Sequence, residues 1–469
     1  MITLKKSEKS IRNKSISGKC EKMLKVSVRN NDTDSIAFSD QSHINIPINI
    51  SRTKKAIRDY GSVILGGGSG RFIAMLNAII IARVLGPSKY GLFSVFFTVM
   101  MLIWLFPQAF DTTFIKFAKT GSIAEKKDFL KVAFLSKIAY SILLLFVSYP
   151  LSYFLAQYCF QKPEIQMILI ASMFCGVFIT FCTTVASVFQ EKEKFLVFAA
   201  LSSSYSILVF IVIVLLKLFQ FTFTLNKIIL VYLVVTGVIG ILSFKMLYSK
   251  VGRHCTQNSK ALKQSLGLGR WIFAVTLTFY FFQRLDLLYL TRSLDFNSIG
   301  IYSAAKQLTM VISVMSGLLA GVFLPKASKA LLSREAFREY IMDSALAILM
   351  MIMGLICFIV IAPLAVKILF GIEYIMTISI LRILLIGWLF FVIYQPFSFL
   401  FYTLEDARTR FYLEFTKLAM ALAMLNWLVP LYGMKGAAIA MSVSIAVTTC
   451  LSLIVLKYRL NLYWRKIVC

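Results

Sequence analysis

Five basic residues lie inside apolar stretches of this chain, where a positive charge is costly: Arg71, Arg284, Lys306, Arg382 and Lys417. A charge at the centre of a bilayer costs roughly 2.5–3.5 kcal/mol on insertion scales, so such residues usually face a bundle interior or a wet cavity. A guanidinium offers a bidentate fork to phosphate oxygens, and an ammonium offers a point charge. We therefore expect these five residues to bind an anionic ligand.

Acidic residues are too scarce in the same stretches to neutralise these cations. Asp286 is the one clearly deep carboxylate, while Asp343 and Glu414 lie nearer the ends of their stretches. Residues two apart on a helix point to different faces, so Asp286 is expected to meet a cation on a neighbouring helix rather than Arg284. It is a candidate for an internal ion pair or for a coupling carboxylate.

Three further basic residues, Arg83, Lys137 and Lys245, lie close to the ends of apolar stretches. Long charged side chains in such places can extend along apolar surface and keep their charge in the headgroup region. We expect all three to reach lipid headgroups in this way.

The elements that must position these residues are predicted to be membrane-spanning helices. Of the 469 residues, 59% are hydrophobic and 15% are charged, against about 45–50% and about 25% in soluble domains. A span needs roughly 20 apolar residues, and lipid leaves no partner for an unpaired backbone amide, so spans of this kind must be helices. The predicted fold class is all-α, a polytopic protein with twelve transmembrane helices. The predicted spans lie near residues 62–85, 90–110, 132–156, 165–188, 196–217, 227–247, 271–291, 299–324, 342–364, 376–402, 412–430 and 436–457.

Lys and Arg are distributed unequally between the two sides of the predicted membrane. With a cytoplasmic N terminus, 35 of the 50 fall on the cytoplasmic side and seven fall in outer connections. The positive-inside rule favours this orientation, which also places the C terminus in the cytoplasm. The net charge of +29 is then explained by topology and attraction to the inner leaflet, and it argues against nucleic acid binding.

A polar corner occurs twice in the sequence. RVLGPSKYGLFS begins at Arg83 and RSLDFNSIGIYS begins at Arg292, and both have Arg first, Leu third, Gly ninth, an aromatic residue eleventh and Ser last. Tight turns favour Gly and Ser in any case, but six predicted spans separate the two corners. The corners therefore occupy equivalent places in two halves that point the same way, as in transporters built from parallel repeats.

The repeat predicts two parallel six-helix bundles around a central cavity, residues 56–247 and 271–457. A cytoplasmic linker at 248–270 joins them. Residues 1–55 are polar and poor in aromatic residues and are predicted to form a disordered basic cytoplasmic tail. Residues 458–469 combine basic residues with Leu, Tyr and Trp and are predicted to lie along the cytoplasmic interface.

The sequence offers little material for catalysis or for a cofactor. The eight cysteines include no C-x-x-C pair, and the two histidines lie in polar segments, so neither a metal site nor a catalytic triad is expected at membrane depth. GGGSG at residues 66–70 lacks the Lys-Ser/Thr of a phosphate-binding loop and favours close helix packing instead. We expect no enzyme activity, no cofactor and no metal.

Four stretches resemble the O-antigen type of flippase in the multidrug/oligosaccharidyl-lipid/polysaccharide exporter superfamily. They are IIIARVLGPSKYGLFSV (79–95), RLDLLYLTRSLDFNSIGIYSAAKQL (284–308), GVFLPKASKA (321–330) and YGMKGAAIAMSVS (432–444). The resemblance covers about residues 56–460. It implies two bundles facing a cavity that opens alternately to either side, and similarity to the lipid II flippase branch places Arg71 in that cavity.

The resemblance also implies a cargo and a location. The cargo would be undecaprenyl-pyrophosphate-linked oligosaccharide units, moved from the cytoplasmic to the outer leaflet of the bacterial inner membrane for O-antigen, capsule or exopolysaccharide synthesis. Partners would include membrane lipids, a polysaccharide polymerase and chain-length proteins.

Two alternatives stay open at this point. One is a multidrug/cation antiporter of the same superfamily, which would need acidic residues in its cavity. The other is a membrane glycan polymerase, which would need a long outer loop with catalytic residues, whereas the outer connections here are short.

Overall fold

The computed structural model describes residues 50–118, 123–251, 259–404 and 407–468. Residues 1–49 of the predicted tail lie outside the described residues. Residues 252–258, in the middle of the predicted linker, also lie outside them. Every regular element of the described residues is helical, so the predicted all-α fold class is confirmed.

The described α-helices follow one another with short connections. They are α1 (Ile50–Leu105), α2 (Gln108–Ala118), α3 (Ile123–Phe154), α4 (Gln166–Glu191), α5 (Phe195–Leu218), α6 (Leu225–Val251), α7 (Ser259–Ser293), α8 (Phe296–Ala330), α9 (Arg334–Leu369), α10 (Thr377–Thr403) and α11 (Ala407–Val468). A π-helical turn at Leu155–Cys159 and 3₁₀ turns at Pro163–Ile165 and Ile372–Tyr374 complete the set.

Glycines break the two longest helices. Gly86 in α1 has φ 71° and ψ 171°, and Gly433 in α11 has φ 54° and ψ −130°. Left-handed φ values of this kind carry little cost for glycine because it has no Cβ. Each break falls between two predicted spans, and Pro87 starts the second segment of α1, where a missing amide hydrogen costs nothing.

Eight described helices are long and apolar enough to cross a membrane, and this number takes α1 and α11 as one helix each. The chain is thus a multi-pass membrane protein. The number of twelve crossings stays a prediction.

The second corner of the repeat turns by a different device. Between α7 and α8, Asp295 has φ −70° and ψ 160° and caps α8 by accepting hydrogen bonds from the Ser298 amide at 3.3 Å and the Ser298 hydroxyl at 2.6 Å. Asp295 is the fourth residue of its corner, and Gly86 is the fourth residue of the first corner. A side-chain cap thus does in one half what a left-handed glycine does in the other.

The helices pack in two sets, each around one central helix. In the first set, α4 contacts α3, α5 and α6; in the second, α10 contacts α8, α9 and α11, and α11 contacts α7. Helix α7 also contacts α2 and α3. It therefore lies where the N-terminal half of the chain meets the C-terminal half.

Glycine permits one of the closest helix contacts of the first set. A Cβ placed on Gly70 of α1 would lie 1.8 Å from the Ser203 hydroxyl oxygen and 2.5 Å from the Ser203 Cβ on α5. Small residues let helix backbones approach in this way inside membranes. The GGGSG segment thus ends in the close packing that its composition predicts.

We expect Gly70→Ala to lower the free energy of unfolding by about 1–3 kcal/mol, because the added methyl group forces α1 away from α5. The measurement is thermal unfolding of purified protein in detergent. Gly237→Ala on α6 is the matched control, since its Cβ would meet the Phe178 ring at an ordinary 3.8 Å. Equal unfolding midpoints for the two variants would contradict the packing described.

A candidate anion site on helix α7

Helix α7 presents Arg284 to the second segment of α1. The Nη2 atom of Arg284 lies 2.8 Å from the Sδ atom of Met101, and its guanidinium carbon lies 5.8 Å from the centroid of the Phe97 ring. The hydroxyls of Tyr90 and Tyr205 are close enough to interact with its charge. Arg284 thus extends from the C-terminal half towards aromatic and thioether groups of the N-terminal half.

Arg71 approaches the same face of α7. Its exposed side chain on α1 interacts electrostatically with the Tyr280 hydroxyl, and Tyr280 and Arg284 are one helical turn apart, so they share a face. Among the described residues, neither arginine belongs to an ion pair. The charges of both arginines therefore act along one side of α7, and Arg284 also interacts with the charge of Asp286, whose carboxylate is paired with Lys306.

The third predicted cation, Lys306 on α8, is neutralised inside the protein. It donates hydrogen bonds to the Asp286 carboxylate and to the Gln283 carbonyl. Asp286 is 1% exposed and also accepts from the Tyr302 hydroxyl at 2.7 Å and from the Leu287 amide at 2.8 Å. Asp286 thus pairs with a cation on a neighbouring helix, and a phosphate at Lys306 would compete with it.

Lys417 on α11 also has an acidic partner. It forms an ion pair with Glu414, one turn earlier on the same helix, and its ammonium lies 4.7 Å from the centroid of the Phe282 ring. Lys306 and Lys417 line one small cavity within the C-terminal half, together with Asp286. Arg382 on α10 is exposed and does not line that cavity. The five predicted cations therefore fall into three groups. Arg71 and Arg284 act on one side of α7, Lys306 and Lys417 line one cavity, and Arg382 belongs to neither place.

The expectation that Lys137 reaches the lipid headgroups is wrong. Lys137 on α3 is fully buried, and its Nζ atom lies 2.6 Å from Oδ2 of Asp111, 2.7 Å from the Thr180 carbonyl and 3.0 Å from the Thr183 hydroxyl. The Thr184 hydroxyl is a fourth partner and also donates to Asp111 at 2.9 Å. The ammonium is surrounded by oxygen atoms and has no need to reach water.

Sequence reasoning missed Asp111 because this residue lies just beyond the predicted span at residues 90–110. One available signal was Thr180, Thr183 and Thr184 in the otherwise apolar α4. Their spacing of three and four places all three on one helix face. A polar face inside a bundle indicates a buried polar partner, because unpaired polar groups are costly there.

Removing Lys137 should strongly destabilise the first helix set. We expect Lys137→Met to cost about 3–5 kcal/mol, because it leaves the Asp111 carboxylate buried and unpaired. The double variant Lys137→Met/Asp111→Asn should recover part of that loss. Thermal unfolding in detergent tests this, with Lys245→Met as the control because Lys245 is exposed. A double variant as unstable as the sum of the single variants would show that the pair is not coupled.

Several solved structures of membrane transporters share this fold. The lipid II flippase MurJ in its inward closed conformation has the same fold, with a TM-score of 0.71, 17% identity, and coverage of 84% of this chain and 87% of that chain. An inward-facing multidrug resistance transporter of the MATE family has a TM-score of 0.65 and 14% identity, with coverage of 86% of this chain and 98% of that chain. A third structure is a MOP superfamily transporter from Pyrococcus furiosus, described as having a binding pocket of reverse polarity. Its TM-score is 0.63 and its identity 15%, with coverage of 87% of this chain and 96% of that chain.

The fold is therefore one that this chain shares with the lipid II flippase MurJ and with transporters of the MOP superfamily. Residues 56–331 match the polysaccharide biosynthesis protein family, and the chain belongs to that family. The sequence matches none of the curated proteins compared with it. The predicted link to polysaccharide biosynthesis is confirmed by the family, and the predicted fold is confirmed by the solved structures.

Proposed function

We propose that this protein flips an undecaprenyl-pyrophosphate-linked oligosaccharide from the cytoplasmic to the outer leaflet of the bacterial inner membrane. The product would serve O-antigen, capsule or exopolysaccharide synthesis. The observation that carries the proposal is that the charges of Arg71 and Arg284 act along one side of α7, while neither arginine forms an ion pair among the described residues. Family membership and the fold shared with a lipid II flippase support it.

The pyrophosphate is the chemical group that this pair suits. It carries at least two negative charges and many acceptor oxygens, and planar guanidinium forks bind such oxygens bidentately. Arg71 on α1 and Arg284 on α7 would contact it from the two halves, residues 56–247 and 271–457, which rock against each other. The lipid tail would stay in the bilayer, and both chain termini would lie in the cytoplasm.

The remaining predicted residues take secondary roles in this proposal. Lys306 and Lys417 would bind a phosphate oxygen only after partial release from Asp286 and Glu414, so they suit a transient contact during passage. Arg382, which is exposed, would attract the cargo at longer range. The Asp286–Lys306 pair would respond to a coupling ion, and a polymerase and chain-length proteins would receive the product.

The cation antiporter is the alternative that the shared MATE fold raises. Such a transporter needs carboxylates available to a positive cargo. The buried carboxylates of the described helices are Asp111, Asp286 and Glu414, and each is paired with a lysine. This arrangement favours an anionic cargo over a cationic one.

Arg284→Ala and Arg71→Ala should each lower glycan export about tenfold to a hundredfold, because each removes a charge-assisted hydrogen bond of about 1.5–3 kcal/mol. The assay measures surface glycan in cells that depend on this protein, at matched protein levels. Arg284→Lys should keep part of the activity, because it retains the charge but loses the fork. Lys245→Ala is the control with an exposed cation outside the site.

Titration of purified protein with undecaprenyl pyrophosphate separates binding from later steps. Both alanine variants should bind this probe more weakly than the wild type and the Lys245→Ala control. Normal export and normal binding in both arginine variants would remove them from the substrate site. Efflux of cationic drugs that survives in both variants, with no glycan export by the wild type, would favour the antiporter.

A further inference from the structure

The two repeated corners contact each other through equivalent residues. Gly91 and Gly300 are the ninth residues of the two corners, and Pro87 and Phe296 are the fifth. A Cβ on Gly91 would lie 1.9 Å from the Phe296 carbonyl oxygen, and a Cβ on Gly300 would lie 1.9 Å from the Pro87 carbonyl oxygen. The contact is therefore reciprocal, like an isologous interface between two subunits related by a two-fold axis.

This crossing brings backbone against backbone. Each of the two added Cβ atoms would also lie 3.1 Å from the amide nitrogen of the other glycine. No residue with a side chain fits in either place without separating the start of α8 from the second segment of α1. The crossing thus depends on two glycines, and it joins the N-terminal half to the C-terminal half.

A lysine spans the same crossing. Lys162, in the connection between α3 and α4, donates a hydrogen bond to the Leu294 carbonyl, and its ammonium lies 4.2 Å from the centroid of the Phe296 ring. Phe296 is also the residue whose carbonyl meets Gly91. The lysine therefore links the N-terminal half to the residues of the second corner.

Two more hydrogen bonds join the halves at this end. The Tyr374 hydroxyl donates to the Ala82 carbonyl at 2.8 Å, and Arg83 donates to the Ile368 carbonyl at 3.1 Å. Both bonds run from a side chain to a backbone carbonyl near the end of a helix. When the halves separate, water can take the place of each partner, so these bonds can break and form repeatedly.

We propose that the Gly91–Gly300 crossing is the gate that closes one end of the passage between the two halves, and that Lys162 is its latch. The predicted orientation makes this the outer end, and the transport role of the gate rests on the proposed flippase function. Closing brings the two corners into backbone contact. Opening separates them and releases Lys162 from Leu294 and Phe296.

The experiment measures the distance across the gate in the full-length protein. Spin labels replace Lys89 and Asn297, two exposed residues beside the crossing, in a background whose native cysteines are replaced by serine. Double electron–electron resonance should show a short-distance population in this background. Gly91→Ala and Gly300→Ala should each reduce that population relative to the open one by about tenfold or more. Gly354→Ala is the matched control, because its Cβ would meet nothing within 4 Å.

Lys162→Met provides a variant that adds no backbone clash. It should shift the distances in the same direction as the glycine variants, by a smaller amount. Unchanged distances in both glycine variants, or an equal shift in Gly354→Ala, would overturn the gate. A shift in the glycine variants without one in Lys162→Met would reject the latch alone. If the glycine variants do not fold, unchanged distances in Lys162→Met overturn the proposal and a shift supports it.

The gate and the cargo assignment can fail separately. The distance measurement contains no cargo, and Arg71→Ala should leave the wild-type distances unchanged while it lowers glycan export. Loss of export in the arginine variants together with unchanged distances in the gate variants would reject the gate and keep the flippase. Shifted distances in the gate variants with normal export in the arginine variants would keep the gate and reject the cargo.

Discussion

A positive charge inside a membrane bundle must be compensated, and this requirement organises the polar residues of the protein. A lysine can meet it with one carboxylate, and Lys137, Lys306 and Lys417 each do so with Asp111, Asp286 and Glu414. An arginine keeps its charge at every accessible pH and holds five donors in a fixed plane. An arginine without a carboxylate therefore relies on water, on aromatic faces or on an anionic ligand, and Arg284 between Phe97 and Met101 shows the second of these arrangements.

The lysine pairs and the arginines consequently have different roles. The Lys137 cluster joins α2, α3 and α4 through bonds that are satisfied within the protein, so it fixes the shape of the first helix set. The Asp286–Lys306 pair joins α7 to α8 in the same way. Arg284 instead reaches from α7 to Met101 and Phe97 of the N-terminal half, and it forms no ion pair among the described residues.

The features that depend on local chemistry could be predicted from the sequence. Apolar length predicted helices, and the glycine at residue 86 marked a corner that the structure turns with a left-handed φ. The repeated corner predicted two halves of equal orientation. It did not show that the two corners meet, because a spacing in sequence says nothing about which helices cross.

The errors in the site have the same origin. Lys137 near the end of a stretch can reach headgroups or a buried acid, and the choice depends on whether Asp111 folds back against α4. At Lys306, which stays a predicted cargo residue, the sequence did not indicate that the Tyr302 hydroxyl and the Gln283 carbonyl complete a hydrogen-bonded cluster around Lys306 and Asp286. Partners of this kind come from other helices, so charge and depth alone do not identify them. The proposed identity of the cargo rests on family resemblance, because residue chemistry predicts only an anionic ligand.

The gate and the anion site share the same two segments of chain. The second segment of α1 carries Gly91 at the crossing and Met101 at Arg284, separated by about 15 Å at the rise of an α-helix. In the C-terminal half, Arg284 on α7 and Gly300 at the start of α8 lie on either side of one short turn. A rotation that separates Gly91 from Gly300 therefore also alters the distance between Met101 and Arg284. Opening the gate would withdraw the thioether from the guanidinium, because the second segment of α1 carries both Gly91 and Met101.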